Sequence, residues 1–201
     1  EAEVSKPRIR RASASELDEV IAIFADGFAE DPVWGVWTFP AVLDRARLLR
    51  EFWAPYVLAA DKYEGVIVTD DLSAVSLWVP PGTQEMDEQD EAAAAEMLLR
   101  VCGERASLLD LAWEAFGRSR PEPAHWYLSL LATAPSHRGR GAGMGLVQAH
   151  LEQVDDDGLP AYLESTNPAN IGRYQRVGFE LDGYFDLPQG PRVDRMWRDA
   201  Q

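Results

Sequence analysis

Gly139, Gly141, Gly143 and Gly145 fall within seven positions directly behind Arg138, where an apolar run gives way to helical spacing. Glycine at that density weakens helix and strand alike, so the backbone there must turn tightly or lie against another group. Leu146, Val147, Leu151 and Val154 follow at helical spacing, which puts the glycines at a helix N-terminus. Unpaired N–H groups and the positive end of the helix dipole make such an end a seat for phosphate. A P-loop needs Lys-Ser/Thr after its last glycine, whereas Met144-Gly145 follows Gly143. A dinucleotide fold would place its glycines in the first strand–helix unit, with an acid about twenty residues on. A glycine-rich turn with no ligand is the remaining alternative.

The spacing Arg138-x-x-Gly141-x-Gly143, entered from Leu131-Ala132-Thr133-Ala134-Pro135, resembles the acyl-CoA pyrophosphate loop of the GNAT superfamily of N-acetyltransferases. Pro160–Phe179, reading PAYLESTNPANIGRYQRVGF, resembles that superfamily's second signature, with Asn167 seven residues before Tyr174 and then Arg176, Gly178 and Phe179. Arg173 departs from the apolar residue often found before that tyrosine. The helical stretch ahead of the first motif resembles the insertion of puromycin N-acetyltransferase-like branches, and this likeness runs along nearly the whole chain. The resemblance implies an α/β (α+β) fold: a mixed, mostly antiparallel sheet of about seven strands, with the fourth and fifth splayed and helices on both faces.

The resemblance also implies acetyl-CoA as co-substrate, held by Leu131, Ala132, Thr133, Arg138, Gly139, Arg140, Gly141, Ala142, Gly143, Asn167 and Asn170. The implied reaction is direct attack of an amine on the thioester, with Tyr174 protonating the leaving thiolate and an N–H near Leu131 polarising the carbonyl. An alkylammonium has a pKa of about 10 and needs a path for proton loss. Glu164 beside the expected gap is the first candidate base, Asp31 the second and His125 the third; relay through water is the alternative. The connection holding Asp31, Trp34, Trp37 and Phe39 would line the acceptor site, or else pack on the core. His137 and His150 are assigned surface roles. The acceptor implied is the primary amine of a small molecule. A protein lysine or N-terminal amine, and a non-catalytic acyl-CoA-binding module, are the alternatives.

The elements that must position these groups follow the chain. Pro7–Ala12 reads as a first strand, and Ser15 with Asp18 as the start of a helix whose apolar face is Leu17, Val20, Ile21, Phe24 and Phe28. Glu30–Pro40 breaks the pattern with two prolines and three large aromatics. Ala41–Ala60 reads as a helix that Pro55 kinks or splits. Glu64–Thr69 and Ser73–Val79 read as a hairpin, and the acidic run from Glu85 opens a helical stretch in two pieces to Phe116. Trp126–Ala134 suits a strand covered on both faces, which Pro135 stops. Gly141–Asp155, Ala161–Ser165 and Ala169–Val177 then read as helix, fifth strand and helix. Glu180–Leu187 and Val193–Arg198 close the chain as an antiparallel pair.

With 201 residues, 46% of them hydrophobic, the chain can bury one sizeable core, and residues 1–201 are expected to form one domain with an insertion at about 84–116. The single cysteine, Cys102, excludes an intramolecular disulfide and reads as a structural thiol. The motifs require no metal. No apolar run reaches the ~18 residues of a membrane span, and EAEVSKPRIRR lacks a signal peptide's apolar stretch; the expected compartment is the cytoplasm. A net charge of -15 argues against nucleic acid or an anionic membrane as partner. Such acidity keeps a protein soluble and can also draw in a cationic amine. Between Gly117 and Leu151, however, Arg118, Arg120, Arg138 and Arg140 face only Glu122, a locally positive region for an anionic ligand. The oligomeric state, a homodimer included, stays open.

Overall fold

A computed structural model describes residues 6–201; the opening EAEVS, part of the stretch read for a leader, lies outside them. One sheet of seven strands runs in the order β1 (Ile9–Arg11), β2 (Val66–Thr69), β3 (Ala74–Val79), β4 (Trp126–Thr133), β5 (Ala161–Ser165), β7 (Arg192–Arg198) and β6 (Glu180–Asp186). Every neighbouring pair is antiparallel except β4–β5, which is parallel. This is the mixed, mostly antiparallel α/β architecture that the two motifs imply.

Helices cover both faces. On one lie α1 (Leu17–Phe28), α2 (Arg45–Lys62), α3 (Glu88–Cys102) and α4 (Ala106–Ser119), whose apolar sides meet Val66, Val68, Val75, Leu77, Leu130 and Ala132 of the sheet. On the other, α5 (Ala142–Asp156) and the short α6 (Ile171–Gln175) cover Ile67, Trp78, Leu128, Leu163 and Met196. β2 and β3 are buried at every position because alternate side chains enter different cores.

Three local expectations need correction. α2 runs through Pro55 without a break, its start fixed by Asp44, whose side chain accepts from the Arg47 N–H at 3.2 Å. The aromatic connection, read as a break in the helical pattern, is itself helical: Pro32–Trp37 forms one wide turn in which the Val36 and Thr38 N–H groups reach back to Asp31 and Val33 carbonyls. His150 is not on the surface; its ring packs against Trp78 at 4.5 Å between centroids, and burial lowers its pKa to about 4.

Candidate functional site

β4 and β5 pair only through Trp126↔Ala161, Tyr127↔Tyr162 and Leu128↔Leu163, then diverge. On its other side β4 stays paired with β3, with one irregularity: Leu77 faces Leu130 and Trp78 faces Leu128, so Ser129 is an extra residue. The Ala134 N–H bonds the Ser73 carbonyl at 2.9 Å, so by the two-residue alternation Leu131 and Thr133 direct their N–H and C=O groups away from β3, toward the gap. A sheet edge with unpaired backbone groups is what an extended ligand can pair with.

Below that edge the chain turns into α5. Gly139 and Gly141 hold φ values of 77° and 82°, a backbone region that favours glycine, and nothing lies within 4 Å of where their Cβ atoms would be. Gly141 is the N-cap of α5 and leaves the first N–H groups of that helix free of a side-chain cap. Arg138 is anchored: its Nη2 donates to the Asp26 carbonyl on α1 at 2.8 Å. Gly143 serves packing, since a Cβ there would come within 2.7 Å of Thr133 Oγ1. The expected loop residues Arg138–Gly143 are thus gathered at one helix end, beside Leu131–Thr133. Asn167 is engaged elsewhere, accepting from the Ala169 N–H at 3.0 Å, whereas Asn170 lies on the main cavity.

That cavity, about 510 Å³, starts at the gap and extends beneath α3 and α4. Ser129, Leu130 and Leu131 line it from β4, Glu164, Ser165 and Thr166 from β5, and Tyr174 from α6. Burial, reinforced by the negative Asp31, pushes the Tyr174 hydroxyl up to about 12, so it keeps its proton at neutral pH. Glu164 is pushed the same way, to about 7, by burial, against the opposing effect of the Arg120 cation and the Tyr127 and Tyr162 hydroxyls. Its Oε1 is buried without a hydrogen-bond partner among the described residues. Of two titratable groups in one cavity, one therefore titrates near neutrality and the other keeps its proton there.

The other candidates divide. Asp31 lines the cavity, but its Oδ1 accepts from the Val33 and Trp34 N–H groups at 2.9 Å and its Oδ2 from Thr166 Oγ1 at 2.8 Å. Those bonds tie α1's end to β5's end, and burial raises the Asp31 pKa in spite of them. Trp34 lines the cavity too; Phe39 does not, being packed edge-on to Phe52 in the core. Trp37 turns outward, its Nε1 donating to the Gln189 carbonyl at 3.1 Å. His125 lies outside the main cavity, with its Nδ1 2.6 Å from the Pro123 carbonyl and its ring against Tyr162 and Trp197. Sequence reasoning missed Trp53, Tyr56, Tyr63, Trp113, Phe116, Glu85 and Tyr127, all lining residues, and read Arg120, which lines the cavity paired with Glu85, as part of a positive stretch for an anionic ligand. A usable signal existed for two of them: Trp113 and Phe116, three apart on an amphipathic helix, form an aromatic stripe.

Residues 86–179 match the Acetyltransferase (GNAT) family. A solved structure titled histone acetyltransferase HPA2 and related acetyltransferase, from Corynebacterium glutamicum, superposes with a TM-score of 0.65 at 23% identity, covering 98% of this chain and 97% of that one. The matched stretch is thus GNAT-like in sequence, and the chain as a whole has the GNAT fold. Another GNAT-fold structure, arylalkylamine N-acetyltransferase 2 from Aedes aegypti, gives a TM-score of 0.64 at 16% identity over 96% of this chain and 99% of that one. Among curated proteins, an uncharacterized N-acetyltransferase of Schizosaccharomyces pombe is 23% identical over 85% of this chain and 73% of its own length. Other curated relatives match over short stretches, 37% and 27% of their lengths. The family match and the acetyltransferase names of these relatives support an acyl-CoA-dependent acetyltransferase. No helix among the described residues is long and apolar enough to cross a membrane.

Proposed function

We propose that this GNAT enzyme transfers acetyl from acetyl-CoA to the primary amine of a small, cationic acceptor with an apolar body, and that the insertion at about 84–116 belongs to the same catalytic domain. The observation that carries this is the cavity: it joins Tyr174 and Glu164 to a chamber roofed by α3 and α4 and walled by Trp34, Trp53, Tyr56 and Trp113. A roofed chamber of about 510 Å³ suits a small molecule better than a side chain presented on a protein surface. Aromatic faces with Glu91, Asp110 and Glu164 on the same lining favour a cation. The neighbours' names, one a histone and one an arylalkylamine acetyltransferase, leave that choice to the geometry.

The residues present fit the co-substrate: an unpaired strand edge at Leu131 and Thr133, and free N–H groups in the turn before α5. Acetyl-CoA would supply the thioester. Leu131 and Thr133 would hold its arm as an added strand, and Arg138–Gly143 its pyrophosphate. Glu164 in its ionised form would accept the proton of the incoming ammonium. Tyr174, still protonated at neutral pH, would deliver a proton to the departing sulfur. The deciding experiment follows thiol release from acetyl-CoA with a panel of amines, puromycin and polyamines included, alongside CoA binding by calorimetry. Release with one amine class is expected; tight CoA binding with no release from any amine would point to a protein acceptor or to a module without turnover.

A further inference from the structure

We propose that Arg120 is a positioning residue that sets the charge state of Glu164, with Glu85 competing for it; this rests on the reading of Glu164 as proton acceptor. Arg120 follows α4 and Glu85 precedes α3, so their ion pair closes the insertion at its base. The guanidinium lies 4.0 Å from the centre of the Tyr127 ring, which fixes it in place. Arg120, Glu85 and Tyr127 are also the wall shared by the main cavity and a smaller one of about 160 Å³ behind it. Among the described residues, neither Arg120 Nε nor Glu164 Oε1, both buried, has a hydrogen-bond partner.

Glu164 is faced by Tyr127 from β4, Tyr162 from its own strand, and Arg120 and Glu85 from the two ends of the insertion, while Arg195 stands opposite it in register on β7. Arg120 favours its carboxylate and Glu85 its neutral acid. The two halves of one ion pair therefore act on the proton acceptor with opposite sign. A clamp that merely held the insertion closed would fail in the same way from either half.

The test is a carbon-13 NMR titration of the Glu164 carboxyl in the intact protein, assigned by its disappearance in Glu164→Gln, beside the pH dependence of kcat/KM. Arg120→Met should raise the Glu164 pKa by about one unit or more, and Glu85→Gln should lower it, with the acid limb of the rate profile following each. Arg120→Lys keeps the charge and should stay near the parent. If Arg120→Met does not fold, the downward shift in Glu85→Gln decides the matter. Shifts of the same sign, or none, in folded variants overturn the proposal. Opposite titration shifts under an unmoved rate profile would keep it and instead remove Glu164 as proton acceptor.

Discussion

Glu164 and Tyr174 make separable demands on a single cavity. If Tyr174 protonates the leaving sulfur, Tyr174→Phe should lower kcat by roughly 10²-fold while leaving CoA affinity within about threefold, read by steady-state kinetics and calorimetry. Glu164 also carries a stability signature. Its carboxyl titrates near 4.5 when free of the fold and at about 7 within it, so the folded state holds a proton that the unfolded chain has lost. Stability linked to that proton is full below about 4.5 and is lost as pH rises through about 7. Glu164→Gln removes the penalty, so its melting temperature relative to the parent should rise from pH 5 to pH 8. A pH-independent difference would contradict the burial of this carboxyl as an acid.

At the scale of elements, two glycines of the loop should fail differently. Gly141→Val strains a left-handed backbone at a cost of about 1–2 kcal/mol and distorts the turn, weakening CoA binding with little change in the rest of the fold. Gly143→Val drives a side chain into Thr133, so it should lower the melting temperature as well, by separating α5 from β4. The strand, glycines and helix could be read from sequence because their signals are local: an apolar run, a stop at Pro135, residues tolerant of positive φ, and helical spacing. The aromatic wall of the cavity could not. Trp34 and Trp37 sit in one helical turn and Phe39 just after it, and the three point in different directions, so only Trp34 reaches the cavity while Phe39 enters the core and Trp37 meets Gln189. Glu85, Arg120 and Glu164 lie far apart in the chain, and only the folding of the insertion over the gap brings them together.

For the whole molecule, the charge of -15 is divided unevenly: the turn before α5 is basic while the cavity proposed for the acceptor carries carboxylates. Raising ionic strength from low salt to about 0.5 M should therefore raise KM for a cationic acceptor severalfold and leave that of a neutral analogue unchanged, because screening acts on the charge alone. Equal responses would make the acidity a matter of solubility only.

The brief pairing of β4 with β5 also has a mechanical meaning. Three residue pairs make a short hinge between two stiff plates, one of β1–β4 and one of β5–β7, and the Asp31–Thr166 hydrogen bond is the latch across their open end. A ligand seated between the plates acts as a rivet: at about a hundred times its Kd it adds ~2.7 kcal/mol against opening. The empty protein should breathe along this line, and slower amide exchange at Leu131 and Thr133 on adding CoA would record the plates being fastened.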